Sequence, residues 1–390
     1  MTTAPEDRSA PEVGLTPDRE AAVRHATDIA AAHAAEVDRA ARFPEEAVTA
    51  LRDGGLLAAA APVRVGGHDM TCRELVRVAE RLAAGCGATA MIWAMHQIQL
   101  ACVARHHPDS PLLERAVKEQ WLIASVTSEA GVGGDLRRSA AGIAPGTDDG
   151  GHTVRKQGTT VSYGADAQGY LVTARRSADA DQADQVAVLV SREQVELVQT
   201  GGWNTLGMRG TCSPAYDLEL TFHTDQVLPV PFGDIAARTM VPLSHLLWSG
   251  VWLGLATEAV RRAVAVTRRR SRGTAAPANP SLALAHARLA GARGQLAGTV
   301  AACEPVLDHG QEPTITLAAE LNALKVGVSQ TVVDVVRLAL EVTGMAGFTE
   351  DGPYSVARIL RDVHSAPLMI SNHRLLATNS QLLLALRGER

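Results

Sequence analysis

Residues 121–135, WLIASVTSEAGVGGD, run from an apolar segment through four closely spaced hydroxyl and acidic positions into a glycine-rich turn. The chain has a different texture on either side of them. On the C-terminal side stand HTVRKQGTTVSYG (152–164), GYLVTARR (169–176), QVAVLVS (185–191), QVELVQT (194–200) and YDLELTFHTDQVLPVP (216–231), all short, β-branched and separated by Gly, Asp and Asn. They predict a compact antiparallel β-domain over residues 121–232. On the N-terminal side, a Thr-Pro start at Thr16 leads into an Ala-rich run with charges at helical spacing. Helical runs continue through CRELVRVAERLAAGCGATAMIWAMHQIQLACVARH (72–106), which predicts an all-α region over 17–120 behind a disordered leader, 1–16. From Gly233 helix returns in SHLLWSGVWLGLATEAVRRAVAVTRRR (244–270), in the Ala-rich run after Pro280 and in AAELNALKVGVSQTVVDVVRLALEVTG (318–344), with Gly344 as a helix stop. The last part, 233–390, is long enough for a four-helix bundle, so the fold class is α+β in the order α, β, α.

The bulk properties exclude several functions. A formal net charge of −5 and 20% charged residues recruit neither nucleic acid nor an anionic membrane. Cys72, Cys86, Cys102, Cys212 and Cys303 are scattered and odd in number, with no CxxC pair, which fits a reducing cytoplasm and no metal site. The N-terminus is acidic and contains proline, unlike a signal peptide, and no stretch reaches the length of a membrane span. Trp248 and Trp252 are expected either to fill the bundle core or to meet another subunit.

Four segments could carry chemistry. SVTSEAGVGGD (125–135) places hydroxyls before a turn whose amides could hold a phosphate or the polar edge of a planar ring, although such a loop is more often plain turn chemistry. In TTVSYGADAQGYLVTA (159–174), Ser162 lies beside small residues that leave room for a flat ligand. GMRGTCS (207–213) sets Arg209 between glycines, and RILRD (358–362) is a compact charge cluster.

The four in this order resemble the acyl-CoA dehydrogenase superfamily over nearly everything after the leader. SEAGVGGD resembles that family's flavin loop, with Ala130 in place of Pro. GWNTLGMRGTCS, ALEVTGMAGF and RILRD resemble its strand entry, its glycine-rich turn and its Arg-Asp pair. The resemblance implies an N-terminal α-helical domain, a central β-domain and a C-terminal four-helix bundle, with bound FAD or a reduced flavin supplied by a partner reductase. It implies that Val126, Thr127, Ser128, Thr160 and Ser162 line the flavin, with Asn372 near it. Arg269, Gly344 and Gly347 would meet the pyrophosphate across a subunit boundary, in a homotetramer or homodimer. The chain also departs from the family: Thr160 replaces an aromatic residue, Arg272 a Phe and Glu341 a Gln.

In this family a Glu takes the α-proton of an acyl thioester while the flavin takes the hydride. The two positions for it fall on Ile370 and Ser244, neither a carboxylate. His245, His373 and Ser244 are then the catalytic candidates. The histidine that some monooxygenases of the superfamily carry falls on Met369. Three readings stand at this point: a flavin-dependent monooxygenase, a dehydrogenase of a CoA or carrier-protein thioester with a relocated base, and a catalytically silent flavin-binding protein. His96 is expected to be a satisfied buried residue, Cys212 structural, and His106 and His107 part of a loop.

Overall fold

The computed structural model describes residues 14–133, 135–146, 150–271 and 278–386. Most of the expected leader, and Arg272, lie outside them.

Five helices come first: α1 (Pro17–Ala40), α2 (Glu45–Asp53), α3 (Cys72–Gly85), α4 (Gly87–His106) and α5 (Pro111–Lys118). Thr16 caps α1 by accepting from the Arg19 amide, with Pro17 at the first helical position, where its missing N–H costs nothing. Val23, Ala26, Ala30, Ala34 and Val37 form the buried seam of α1 at helical spacing. Helix α4 is apolar all round and is buried nearly throughout, as a central helix must be. Several of its polar side chains bind neighbouring backbone. Trp93 Nε1 donates to Leu56 O, Gln97 accepts from the Ala60 amide, and His96 Nε2–H donates to Leu57 O (2.6 Å) while its Nδ1 accepts from the Ile123 amide (3.0 Å). His96 is thus the satisfied core histidine expected, and burial lowers it to about 4.

The strands are β1 (Ile123–Val126), β2 (Ala144–Pro145), β3 (Gly151–Gly158), β4 (Gly169–Arg175), β5 (Gln185–Ser191), β6 (Val195–Gln199) and β7 (Tyr216–His223). They form two sheets, ordered β1-β4-β5 and β2-β3-β7-β6. All pairs are antiparallel except β1–β4, which is parallel with Ile123 opposite Gly169, a correction to the wholly antiparallel expectation. The chain leaves β1, builds β2 and β3 in the other sheet and returns, which is the long crossover a parallel pair needs.

Helix resumes at α6 (Phe232–Ile235), passes through a wide π-turn at Ala236–Met240 and continues as α7 (Val241–Arg270). Helices α8 (Pro280–Leu307) and α9 (Ile315–Thr343) are capped by Asn279 and Thr314. Short α10 (Met345–Phe348) and α11 (Ala357–Val363) precede α12 (Asn372–Ala385). Gly344 stops α9 at φ 59°, a conformation in which a Cβ is strained. Helices α7, α8, α9 and α12 pack as the expected bundle. Helix α3 approaches α7 so closely that a Cβ on Gly254 would lie 2.2 Å from Glu80 O. His106 corrects the loop expectation: it ends α4 and its Nε2 meets Thr239 Oγ1 at 2.9 Å.

Candidate active site

A cleft of about 670 Å³ opens where the helical parts meet the sheets. Helix α4 contributes Met91, Met95, Ile98 and Gln99; the π-turn and α7 contribute Met240, Val241, Ser244 and Trp248. Each set recurs at three- and four-residue spacing, so each comes from one helix face. The β-domain supplies a hydroxyl strip, Ser125, Thr127, Ser128, Thr160, Ser162, Thr211 and Ser213, and a lip formed by Trp203, Thr205 and Leu206. The C-terminal segment adds Arg361, His364, Ser365, Leu368, Met369, Ile370 and Arg374. No aspartate or glutamate is among the described residues lining the cleft.

The strip is held from behind. Ser128 Oγ donates to Thr160 O (2.8 Å) and accepts from the Thr160 amide (3.1 Å), tying the loop after β1 to the turn after β3. Ser213 Oγ bonds Ser162 Oγ at 2.8 Å and Thr211 Oγ1 at 2.9 Å. Glu129, buried directly beside the strip, accepts from the amides of Ala140 and Ala141 and from Ser139 Oγ. Its counter-ion, Lys156, lies 3.4 Å away, donates to Thr173 O and Oγ1, and is pulled down to about 8 by burial. Glu129 therefore shapes the loop and does not enter the cleft.

The remaining motifs also meet in space. A Cβ on Gly207 would lie 2.3 Å from Arg361 O, so GMRGTCS sits directly on RILRD. The Met208 amide donates to Asp362 Oδ1 at 2.6 Å, and burial raises the Asp362 carboxyl to about 6. Arg209 donates to Asp38 O (2.8 Å), and Arg361 pairs with the Asp38 carboxylate. Asp38 thereby joins α1, the β6–β7 loop and α11. Cys212, at φ 42° and partly buried beside Ala41 O, belongs to the same turn, and burial raises its thiol to about 11.

The sequence candidates are divided between the cleft and other parts of the fold. Thr127, Ser128, Thr160, Ser162 and Ser244 line it. Ser244 Oγ donates back to Met240 O at 2.6 Å. Val126 is wholly buried in β1 and reaches the cleft only through its neighbours. His245 is fully buried and is not among the residues lining the cleft; its Nδ1 lies against Val241 O (3.0 Å), and burial lowers it to about 4. His373 is exposed on α12 outside the cleft. Asn372 is engaged by Lys325 Nζ (2.8 Å) and by Ser329. That lysine is fully buried, also donates to Ile370 O (2.6 Å), and lies 5.7 Å from the Trp252 ring centre. Ile370, which faces the cleft, is held at φ 51° by this arrangement. Arg269, Gly344 and Gly347 gather at the far end of α7, with Arg269 over the Tyr354 ring and Arg270 donating to Val342 O and Thr343 O. Trp252 fills the core, and its neighbour Trp248 lines the cleft. Sequence reading missed the α4 face and His364; apolar periodicity on a buried helix does not reveal which face meets a cavity.

A wall of hydroxyls facing one of methionine, isoleucine and tryptophan suits a planar heterocycle with one polar edge, so the cleft fits the isoalloxazine ring of a flavin. The sequence agrees with the fold: residues 18–136 match the acyl-CoA dehydrogenase N-terminal domain and residues 236–369 its C-terminal domain. The chain belongs to the acyl-CoA dehydrogenase family of flavin-dependent oxidoreductases. It is 26% identical over 353 residues to an L-evernosamine nitrososynthase of a Micromonospora species, covering 87% of this chain and 82% of that protein. It is 28% identical over 235 residues to a putative acyl-CoA dehydrogenase of Bacillus subtilis, covering 58% of this chain and 59% of that one. Among solved structures, FMN-bound TdsC of Paenibacillus sp. A11-2 superposes with a TM-score of 0.82 at 21% identity, over 94% of this chain and 98% of that one. Methanesulfinate monooxygenase of Pseudomonas fluorescens gives 0.80 at 20% identity, over 95% and 97%.

Proposed function

We propose that this protein is a flavin-dependent monooxygenase of specialised metabolism, supplied with reduced flavin by a partner reductase and assembled as a homo-oligomer. One observation carries the reading: no carboxylate lines the cleft among the described residues, while Ile370 and Ser244, on which the family's base would fall by resemblance, both line it. Abstraction of an α-proton needs a base within reach, and neither residue can serve as one. The nitrososynthase and monooxygenase relatives point the same way.

Thr127, Ser128, Thr160 and Ser162 would hold the flavin's polar edge, and Arg269, Gly344 and Gly347 of a second copy its phosphate end. The bound flavin supplies two-electron redox chemistry and the activation of oxygen. The chain's own residues do the rest. Met91, Met95, Ile98 and Trp248 exclude water from the reacting face. Among the described histidines His364 alone lines the cleft, so it takes the proton-handling role for which His245 and His373 are badly placed.

The test is the visible spectrum of the purified protein with FMN or FAD, under anaerobic addition of an acyl-CoA series and then with a flavin reductase, NADH and oxygen. The expected result is no bleaching by any thioester, with oxygen-dependent product once reduced flavin is supplied. Bleaching by a thioester would overturn the reading in favour of a dehydrogenase with a relocated base. Absence of flavin binding would favour the silent protein.

A further inference from the structure

An isoleucine with positive φ is unfavourable, because its branched Cβ crowds the backbone, and such a residue persists only where its surroundings force it. Among the described residues Ile370, at φ 51°, is the one β-branched side chain in that region. It is partly exposed and lines the cleft, together with Leu368 and Met369 of the same turn. The groups that hold the turn stand behind it. The Asn372 amide donates to Pro367 O (3.2 Å), and Lys325 Nζ donates to Ile370 O (2.6 Å) and to Asn372 Oδ1 (2.8 Å). Asn372 Nδ2 donates to Ser329 Oγ (2.9 Å), which leaves Oδ1 for the lysine. Lys325 is wholly buried, and none of its partners among the described residues is a carboxylate. A buried cation without a counter-ion is less stable than a Leu or Met packed in the same space. Two unfavourable features, a lone buried lysine and a left-handed isoleucine, thus meet at one hydrogen bond, while Lys325, Ser329 and Asn372 all lie outside the cleft lining. Their common effect is the placement of the Ile370 side chain, since the direction of Cβ follows φ.

We propose that Ile370 is a specificity-determining wall of the cleft, that Lys325 is the positioning residue holding it there, and that the part of the substrate meeting this wall is compact and apolar. This rests on the cleft being the site of the monooxygenase reading and deepens it. The position on which a dehydrogenase's carboxylate falls by resemblance here limits the size of what enters, and a rigid branched side chain does so better than a flexible one because it cannot turn aside.

Benzene and naphthalene are both apolar and uncharged and differ in size, so the ratio of their dissociation constants reports room in the cleft and not its polarity. Calorimetric titration of the full chain at saturating FMN is expected to show that Ile370→Ala shifts this ratio about tenfold in favour of naphthalene, the scale on which apolar pockets discriminate small changes of size. Lys325→Met shifts it in the same direction. The double variant shifts it no further than Ile370→Ala alone, because a side chain that is absent cannot be misplaced. Where circular dichroism shows Lys325→Met to be unfolded, Asn372→Ala loosens the same turn and is expected to give the same non-additive shift. An unchanged ratio in Ile370→Ala overturns the wall, and additive shifts in the double variant overturn the positioning role. If the wild type binds neither probe, binding of both by Ile370→Ala supports the proposal and continued absence overturns it. The visible spectrum of the same samples reports separately on the parent reading. Bound FMN with an unchanged ratio removes only the wall; absence of bound FMN removes the monooxygenase, and the ratio is then read in the flavin-free chain.

Discussion

Asp362 and Glu129 are both buried carboxyls, and neither touches the cleft, yet each holds one wall of it. Burial raises the Asp362 carboxyl from 3.8 to about 6, so in the folded state it keeps its proton over a range in which the unfolded chain has lost it. The folded state binds more protons there, and this contribution to stability is present below about pH 4 and lost as pH rises through 6. Its size is on the order of 3 kcal/mol. Asp362→Asn should retain the acceptor for the Met208 amide and remove this dependence. The check is the wild-type minus variant unfolding free energy in urea from pH 4 to 7, which should fall along that window; a flat difference would refute the assignment. Glu129→Ala should cost about 3–5 kcal/mol, because Lys156 is left buried without its counter-ion and two amides lose their acceptor. Glu129→Gln should recover part of it, and the urea midpoints of the two variants measure the difference.

At the level of elements, the cleft depends on two junctions between segments distant in sequence. The first is Gly207 against Arg361. A methyl group there meets backbone, not a flexible side chain, so Gly207→Ala should push the β6–β7 lip off α11. The expected result is a flavin dissociation constant raised about tenfold or more with a smaller loss of melting temperature. The second is Lys325, which reaches from α9 to fix the turn before α12. Burial lowers this lysine to about 8, so the folded state pays for its charge below that pH and is relieved as pH rises from 8 towards 10.5, where the unfolded chain still holds the proton. Stability should rise with pH across that window in the wild type and stay level in Lys325→Met. The variant should bind flavin more weakly, because Ile370 and Met369 are no longer held against the cleft. Neither junction was legible in the sequence. GMRGTCS and RILRD could be picked out as motifs, but nothing in them says that they touch, and Lys325 sits in a helical run where a lone lysine reads as solvent-facing.

For the molecule as a whole, the alternation of helix and strand texture and the capping signals at Thr16, Pro280 and Gly344 were readable because they are local physics: periodicity, propensity and backbone strain. Parts of the hydroxyl strip were readable locally, in SVTSEAGVGGD and at Ser162, but only family resemblance joined them into one site. The α4 face, His364 and the buried lysine were not readable, because a cavity forms from residues that local pattern treats as core or surface. The flavin-phosphate candidates raise a further geometric question. Arg269 lies some 25 residues beyond Ser244 on one continuous helix, about 37 Å at 1.5 Å per residue, so it cannot serve the cleft of its own chain. Leu376, Leu383 and Leu384 are also exposed on α12, more apolar surface than a free helix usually shows. If a second copy completes the site, light scattering should give a multiple of 41.0 kDa. Arg269→Ala should weaken flavin binding about tenfold through the lost charged contact. Thr160→Trp, which blocks the cleft but keeps the arginine, should abolish it. Mixed oligomers of the two variants would then recover intact sites, each pairing the open cleft of one copy with the arginine of the other. Flavin titration of the refolded mixture should show that recovered fraction at wild-type affinity; its absence would mean that Arg269 plays no part across a subunit boundary.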